Sequence, residues 1–427
     1  MKVLVVGSGG REHSIVWKLS QSPLVEKIYT ASGNGGTRIH GENIPIDSDD
    51  IDSLVDFAKK NEIDLTVVGP ELPLVKGIVD RFSESGLKIF GPTQKAAMLE
   101  GSKVFAKIFM KKYDIPTSDF VIVKNKEEAL EIIKNKKYPY VIKVDGLAAG
   151  KGAFIIFSDE DCNNAISQIW DQKVFDEAAN KVIIEEYLDG EEVSVFAVCD
   201  GERYVLLPSA QDHKRVYDND KGPNTGGMGA YSPSPLATEN ILKKVEEKII
   251  KPLLKGMIKE GIPYKGVLYC GLMVLDDEPF VLEFNCRFGD PEAQVILPLI
   301  ESDFAELISK AVDGRFEDLT FNLSDKYAVC VVLASQGYPG SYRKGFKIYG
   351  LKELANIKDG YIFHAATRYE NGEYLTNGGR VLGVTALDVT LKDAIEKAYK
   401  LVEKIHFEGM HYRKDIGVKG LKRLGVI

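Results

Sequence analysis

The stretch E-F-N-C-R-F-G-D-P-E-A-Q, Glu283 to Gln294, follows an apolar run, G-V-L-Y-C-G-L-M-V-L (Gly266 to Leu275), and a turn rich in Asp and Pro. It completes a second extended segment, F-V-L-E-F-N. Side chains two apart in an extended chain share a face, so Glu283 and Asn285 point the same way. Two hard oxygen donors with Arg287 beside them suit Mg²⁺ held against a nucleotide triphosphate. A centre of that kind does phosphoryl-transfer chemistry.

Working outward, 427 residues are too many for one ordinary core and imply two to four domains. Hydrophobic and charged contents of 44% and 28% are those of a soluble globular protein. A net charge of −8 argues against a nucleic-acid surface as the main business. No run approaches the roughly 18 apolar residues of a membrane span. The opening M-K-V-L-V-V-G reads as a buried strand and not as a signal peptide. Five scattered cysteines, without C-x-x-C spacing, fit neither a disulfide framework nor a zinc site. They read as small buried hydrophobes in a reducing cytosol, so a cytoplasmic protein is expected.

Residues 1 to about 100 alternate apolar strands (K-V-L-V-V-G, K-I-Y-T-A, L-T-V-V-G-P, K-I-F-G-P) with amphipathic helical stretches. Near-continuous apolar strands separated by helices predict a doubly wound parallel sheet, with any ligand at the strands' carboxyl ends. From Gly101 the pattern changes. G-S-K-V-F-A-K-I-F-M-K-K is a helix with Ser102 as N-cap. Residues from about Phe120 to Leu188 read as strand, helix, strand, turn, strand, helix, strand, a small loop-rich unit suited to a mobile lid. Beyond it come strands, a long Gly/Pro/Asn loop from Asp218 to Pro235, a helix from Glu239 to Glu260, and a last α+β unit of about a hundred residues.

Four clusters carry candidate chemistry. V-V-G-S-G-G-R-E-H brings Gly9, Gly10 and Arg11 to a helix start, where backbone amides can meet an anion. It lacks the third glycine and the later acid of a dinucleotide fingerprint, so it is either a phosphate or polar-substrate site or a structural tight turn. In V-I-K-V-D-G-L-A-A-G-K-G-A, Lys143 alternates with Ile142 and Val144. Gly146, Gly150 and Gly152 then make a pliable hairpin, either folding over a triphosphate or simply solvated. I-I-E-E-Y-L-D-G-E-E reads as an acidic turn, or as a strand end offering backbone groups to adenine and an acid to ribose. D-H-K-R-V-Y-D-N-D-K-G-P-N-T-G-G-M-G-A-Y is a long polar loop of the kind that is usually functional. His213 within it is a polar contact, since no Ser or Cys partner is evident.

The order of these clusters, a helix with Lys103, a strand lysine with a glycine loop, a hinge acid run and E-x-N-x-R, resembles the ATP-grasp superfamily. Within it, G-G-R-E-H, K-G-P-N-T-G-G-M-G-A-Y and R-F-G-D-P-E-A-Q are similar to the glycinamide ribonucleotide synthetase (phosphoribosylamine–glycine ligase) family, over essentially the whole chain. The resemblance implies an α/β and α+β multidomain fold. Its parts are a Rossmann-like N-terminal domain (1–101), a central ATP-grasp domain (102–120 and 190–325), an ATP-grasp lid (121–189) and a small α+β C-terminal domain (326–427). It implies ATP-dependent joining of glycine to 5-phosphoribosylamine, with ATP and Mg²⁺ or Mn²⁺ as cofactors. By position, Lys103 and Lys143 would contact ATP phosphates beneath the Gly146–Gly152 loop. Glu185, Tyr187 and Leu188 would hold adenine, and Glu192 the ribose. Glu283 and Asn285 would bind the metal and Arg287 the transferred phosphoryl, with Lys143 and Asp290 completing the catalytic set. Many superfamily members carry another acid on the preceding strand. Here it reads Y-C-G-L, so waters and phosphate oxygens are expected to complete the metal's shell.

Fold logic adds candidates for the other substrates. Asp212 and Asp290, with the Gly226, Gly227 and Gly229 loop, are expected to take glycine. Gly9, Gly10, Arg11 and Arg380 are expected to take the sugar phosphate. The expected partners are small molecules only, with no nucleic acid and no membrane, acting on a monomer. The alternatives are another ATP-grasp carboxylate–amine ligase and a non-catalytic nucleotide sensor.

Overall fold

The computed structural model describes residues 1–147, 152–317, 319–354 and 357–427. The N-terminal sheet comprises β1 (Lys2–Gly7), β2 (Lys27–Ser32), β3 (Glu42–Ile44), β4 (Leu65–Val68) and β5 (Ile89–Phe90), in the order β3-β2-β1-β4-β5, all parallel. Val3 to Val6 are wholly buried because helices cover both faces of β1, as the uninterrupted apolar run implies. Helix α1 (Gly10–Leu19) starts directly after the glycine turn at the carboxyl end of β1. The short β3 carries no period that sequence could reveal.

The central sheet is antiparallel, in the order Tyr204–Leu206, Glu191–Asp200, Lys265–Leu275, Glu278–Asn285. The last two strands pair with Gly271 opposite Glu283, and a bulge between Gly271 and Leu272 shifts the register. The helix Lys103–Lys112 leads into this unit, and Ser102 caps it by accepting from the Phe105 amide. The stretch expected as one helix from Glu239 is continuous to Lys259, with α-helical Glu239–Val245 and Lys251–Lys259 on either side of a wider helical turn, Glu246–Ile250.

The unit read from sequence as a lid is a second antiparallel sheet, Phe120–Val123, Val182–Glu186, Tyr140–Val144, Ala153–Ile156, with its own small core. Tyr140 to Lys143 pair with Ile156 to Ala153, so the glycine cluster closes a hairpin as expected. Gly150, named above as part of its turn, lies outside the described residues.

The C-terminal sheet crosses the division expected from sequence. Gln211–Asp212 and Gly229–Ser232 pair with each other, and the latter pairs with Tyr327–Ser335, which continues to Arg380–Asp388 and Gly360–His364. The ends of the long polar loop are therefore strands of the C-terminal sheet. Arg413, fully buried, fastens the loop's middle through Asp220 at 2.9 Å and the Arg215 carbonyl at 3.0 Å.

Candidate active site

A cleft of about 490 Å³ lies where the central sheet, the lid hairpin and the loop from the C-terminal sheet meet. Its floor is the end of strand Glu278–Asn285. The alternation that put Glu283 and Asn285 on one face holds, and Asn285 Nδ2 lies 3.4 Å from Glu283 Oε1. Lys103, Lys143 and Lys214 surround that carboxylate and line the same space. Burial alone would raise the Glu283 pKa. Lys214, Lys143 and Lys103 outweigh it and hold the carboxyl below the ordinary carboxylate range.

Glu283 is ionised, Asn285 offers a carbonyl oxygen, and the position opposite Glu283 is Gly271, without a ligand. Among the described residues no group of three or more His, Cys, Asp or Glu is placed to hold an ion. With the Asn285 amide turned so that Oδ1 and not Nδ2 faces Glu283, the two oxygens would fit a hard cation whose remaining ligands come from a bound phosphate and water, as Mg²⁺ tolerates. The surrounding lysines leave positive charge for the phosphate itself.

Arg287 is fixed from behind. Its Nη2 donates to Asn285 Oδ1 at 3.2 Å and pairs with Glu100 at 2.9 Å, and its Nε lies 3.5 Å from Glu71. Burial works against its charge, but Glu100 and Glu71 prevail and raise its pKa further. Burial pushes the Glu100 carboxyl up despite Arg287, while a backbone amide, Cys286 N, donates to it at 2.7 Å. Glu71 and Glu100 come from the N-terminal third of the chain, and no sequence signal singled them out.

Lys143 does not stand free above the floor. It pairs with Glu185, which also takes Lys107 Nζ at 2.6 Å and the Ser118 hydroxyl at 3.1 Å. Burial would raise Glu185, yet Lys143 and Lys107 hold it below the usual range. The Glu185 side chain, expected near adenine, thus joins two lysines. Lys107 was missed, although it sits one turn beyond Lys103 on the same helix face. Lys103 Nζ donates to the Gly146 carbonyl at 2.8 Å, tying the helix to the lid hairpin. Gly146, at φ +86°, adopts a left-handed conformation there. Gly152 also lines the cleft.

Tyr187 and Leu188 follow the strand Val182–Glu186 at the lid's exit and do not line the cleft. Tyr187 meets the exposed Phe157 edge-to-face at 5.8 Å. Glu192 pairs with Lys214 Nζ at 2.6 Å, reaching the site through a lysine that sequence reasoning had passed over.

The first glycine cluster is held by carboxylates of the protein itself. Glu12 Oε2 accepts the Gly9 amide at 2.5 Å, and the Arg11 guanidinium is held by Glu12 at 2.6 Å and the Phe288 carbonyl at 3.1 Å. Asp290 sits against Gly9 and Gly10 and accepts from the Arg11 amide. Protein carboxylates therefore occupy the start of α1, where a sugar phosphate was expected. Arg380 is a clamp. Nη1 donates to the Gly226 and Asp290 carbonyls, each at 2.6 Å, and Nη2 pairs with Asp290 Oδ2 at 3.3 Å. Burial opposes ionisation of Asp290, but Arg380 and Arg11 hold it below the ordinary range.

Gly226 lines the cleft, and Gly227 follows it. A side chain at Gly227 would collide with Pro291 and come within 2.8 Å of Asp212 Oδ1. Gly229 instead lies within the C-terminal sheet opposite Val331, where close approach to the Cys330 carbonyl excludes a side chain. Asp212 faces the cleft together with Glu292, Tyr269 and Asp290. Burial and the charge of Glu292 push Asp212 well above the usual carboxylate range. His213 lies tilted beside the Tyr231 ring and contacts the Gly229 carbonyl at 3.2 Å, the polar contact expected of it.

Comparison with known proteins covers nearly the whole chain. Residues 1–100 match the family described as phosphoribosylglycinamide synthetase, N domain; residues 101–293 match its ATP-grasp (A) domain, and 328–419 its C domain. The phosphoribosylamine–glycine ligase of Caldanaerobacter subterraneus subsp. tengcongensis is 52% identical over 97% of this chain and 99% of its own. That of Clostridium acetobutylicum is 48% identical, covering 98% and 99%. The crystal structure of the Thermotoga maritima phosphoribosylamine–glycine ligase superposes with a TM-score of 0.85 at 38% identity, covering 97% of this chain and 100% of that one.

Proposed function

The chain belongs to the phosphoribosylglycinamide synthetase family, and from that premise we propose that its cleft joins glycine to 5-phosphoribosylamine, consuming ATP and giving glycinamide ribonucleotide, ADP and phosphate. The observation that carries this reading within the site is the convergence of Lys103, Lys143 and Lys214 on the ionised pair partner of Asn285, Glu283. That is an anion site with a place for a cation, built beneath a closable hairpin.

Glycine's carboxylate is a poor electrophile, so its oxygen first attacks the γ-phosphorus of ATP, and glycyl phosphate forms as ADP leaves. Such a transfer needs alignment and charge neutralisation, with no protein nucleophile. Lys103 and Lys143 neutralise the triphosphate. Arg287, braced by Glu71 and Glu100, is aimed at the moving phosphoryl group. A divalent cation, Mg²⁺ or Mn²⁺, held by Glu283 and Asn285 would supply further charge neutralisation. Together such contacts are worth several kcal/mol, on the order of 3 kcal/mol for each well-placed donor. The lid hairpin excludes water from the acyl phosphate, which otherwise hydrolyses. The phosphoribosylamine nitrogen then displaces phosphate.

Tyr187 and Leu188 receive adenine at the lid's exit, and Glu192 the ribose. Asp212 and Asp290 provide the negative charge for glycine's ammonium. The crowding of Gly226 against Arg380 and of Gly227 against Pro291 leaves no room for a substrate side chain. We place the enzyme in the cytoplasm as a monomer acting on small molecules alone; no helix among the described residues is long and apolar enough to cross a membrane.

The test is ADP release by the purified protein with ATP, glycine and freshly generated phosphoribosylamine, each omitted in turn. Release that requires both glycine and the amine is expected. Release indifferent to glycine, or ATP binding without turnover, overturns the reading and leaves the nucleotide-sensor alternative.

A further inference from the structure

Two acids in the cleft have no part in phosphoryl transfer as described. Glu292 is buried, and its Oε1 accepts the Tyr269 hydroxyl at 2.8 Å; Tyr269 accepts the Ser194 hydroxyl, also at 2.8 Å. Asp212 takes the His213 amide on Oδ1 at 2.6 Å, whereas no described residue donates to its Oδ2. The Gly227 backbone packs against Oδ1 and Pro291, with no space there for a side chain, so Oδ2 is the Asp212 oxygen left for a substrate. The charges facing Asp212 are Glu292, which repels it, and Lys214 and Arg380, which attract it; Tyr269 and Cys330 are its uncharged titratable neighbours. Burial and Glu292 dominate this balance. Asp290 is different: Arg380 and Gln294 occupy it, and it stays ionised.

Amide formation releases a proton. The lone pair of the phosphoribosylamine nitrogen forms the N–C bond, the C–O bond to phosphate breaks with its electrons leaving on phosphate, and one N–H proton must depart. We propose that Asp212 Oδ2 takes that proton, and that Glu292, fixed by the Tyr269–Ser194 hydroxyl chain, is the positioning residue that sets a second negative charge against Asp212 for this purpose. The proposal rests on the ligase reading and assigns to it a proton acceptor. Glycine's ammonium, arriving beside Asp212, favours the ionised form, so the acceptor is charged when its substrate is present.

The experiment compares the unaltered enzyme with Glu292→Gln in two assays across pH. One follows glycinamide ribonucleotide formation. The other follows glycine hydroxamate formation with hydroxylamine in place of the amine, because hydroxylamine captures an acyl phosphate without help from a base. Amide formation is expected to fall about 10²-fold further than hydroxamate formation, within the range of a general base. The acid limb of its pH profile moves to lower pH, because Asp212 loses the charge that repels it. Tyr269→Phe gives the same split at roughly 10-fold, since the hydroxyl only orients Glu292. Equal falls in both assays, or amide formation at the normal rate and pH profile, overturn the proposal. Failure of the unaltered enzyme to form hydroxamate from glycine overturns the ligase reading itself, and is told apart by occurring without any substitution.

Discussion

Replacing Glu185 by Gln removes one charge from between two ammonium groups. Its side chain is 2% exposed, and those of Lys107 and Lys143 are 3% and 11% exposed, so neither lysine finds water when the carboxylate is gone. Breaking a buried pair costs about 3–5 kcal/mol. Lys107 keeps the Thr117 and Ser118 hydroxyls at 2.7 and 2.9 Å, which favours the lower end. Glu185 lies on Val182–Glu186, an inner strand of the lid sheet, so the loss falls on the lid. About 3 kcal/mol corresponds to a roughly 150-fold rise in the lid's opening equilibrium. Amide hydrogen exchange of Tyr140–Val144 and Val182–Glu186 at pH 7 reads this directly. Because the carboxyl is held below its usual value, its stabilisation is present above the unfolded Glu pKa of about 4.3 and is lost as pH falls through the lower folded value. The Gln variant lacks that acid-side loss. Unchanged lid exchange, or acceleration shared equally by the N-terminal sheet, refutes the reasoning.

Arg380→Ala frees the Gly226 and Asp290 carbonyls together; kcat/KM for both glycine and phosphoribosylamine is expected to fall about 10²-fold, whereas a change confined to the KM of phosphoribosylamine marks a direct phosphate contact instead. Gly227→Ala places a methyl group against Pro291 and Asp212 at φ +113°. Glycine KM should rise at least 10-fold, with a stability loss of about 1–3 kcal/mol in urea unfolding; normal glycine kinetics contradict the crowding argument. His13 and His364 are both buried and neutral at the contact of α1 with the C-terminal sheet, where the His364 amide donates to His13 Nδ1 at 2.7 Å. Burial, and then the neighbouring imidazoles, hold His13 well below its ordinary value and His364 at about 3. The unfolded chain therefore binds these protons first, and stability falls below about pH 6.5 by roughly 1.4 kcal/mol per pH unit for each imidazole. Thermal unfolding between pH 7 and 5 measures this; an equal slope in His364→Asn rules it out.

What could be read from the sequence was what local period and local chemistry determine. Glu283 and Asn285 share a face because strands repeat every two residues, and Ser102 caps its helix because its hydroxyl reaches an amide three residues on. The parallel sheet announced itself through strands apolar on both sides. What escaped depends on partners distant in the chain. Lys107 acquires its role from Glu185, Arg287 is braced by Glu71 and Glu100, and the polar loop joins the C-terminal sheet through a strand a hundred residues later. Gly9 to Arg11 had the right chemistry for an anion, and the carboxylates of Glu12 and Asp290 that meet their amides could not be read from local pattern. Glu292 lay inside the very stretch that decided the fold. Its meaning appeared only when Tyr269 and Asp212 were seen beside it.

The central claim is that glycine's own carboxylate receives the phosphoryl group of ATP in this cleft. Glycine labelled with ¹⁸O in both carboxylate oxygens tests it in one turnover experiment with ATP and phosphoribosylamine. One ¹⁸O per molecule in the inorganic phosphate, with the other retained in the amide product, is the result expected. Unlabelled phosphate, or label found in AMP, contradicts it.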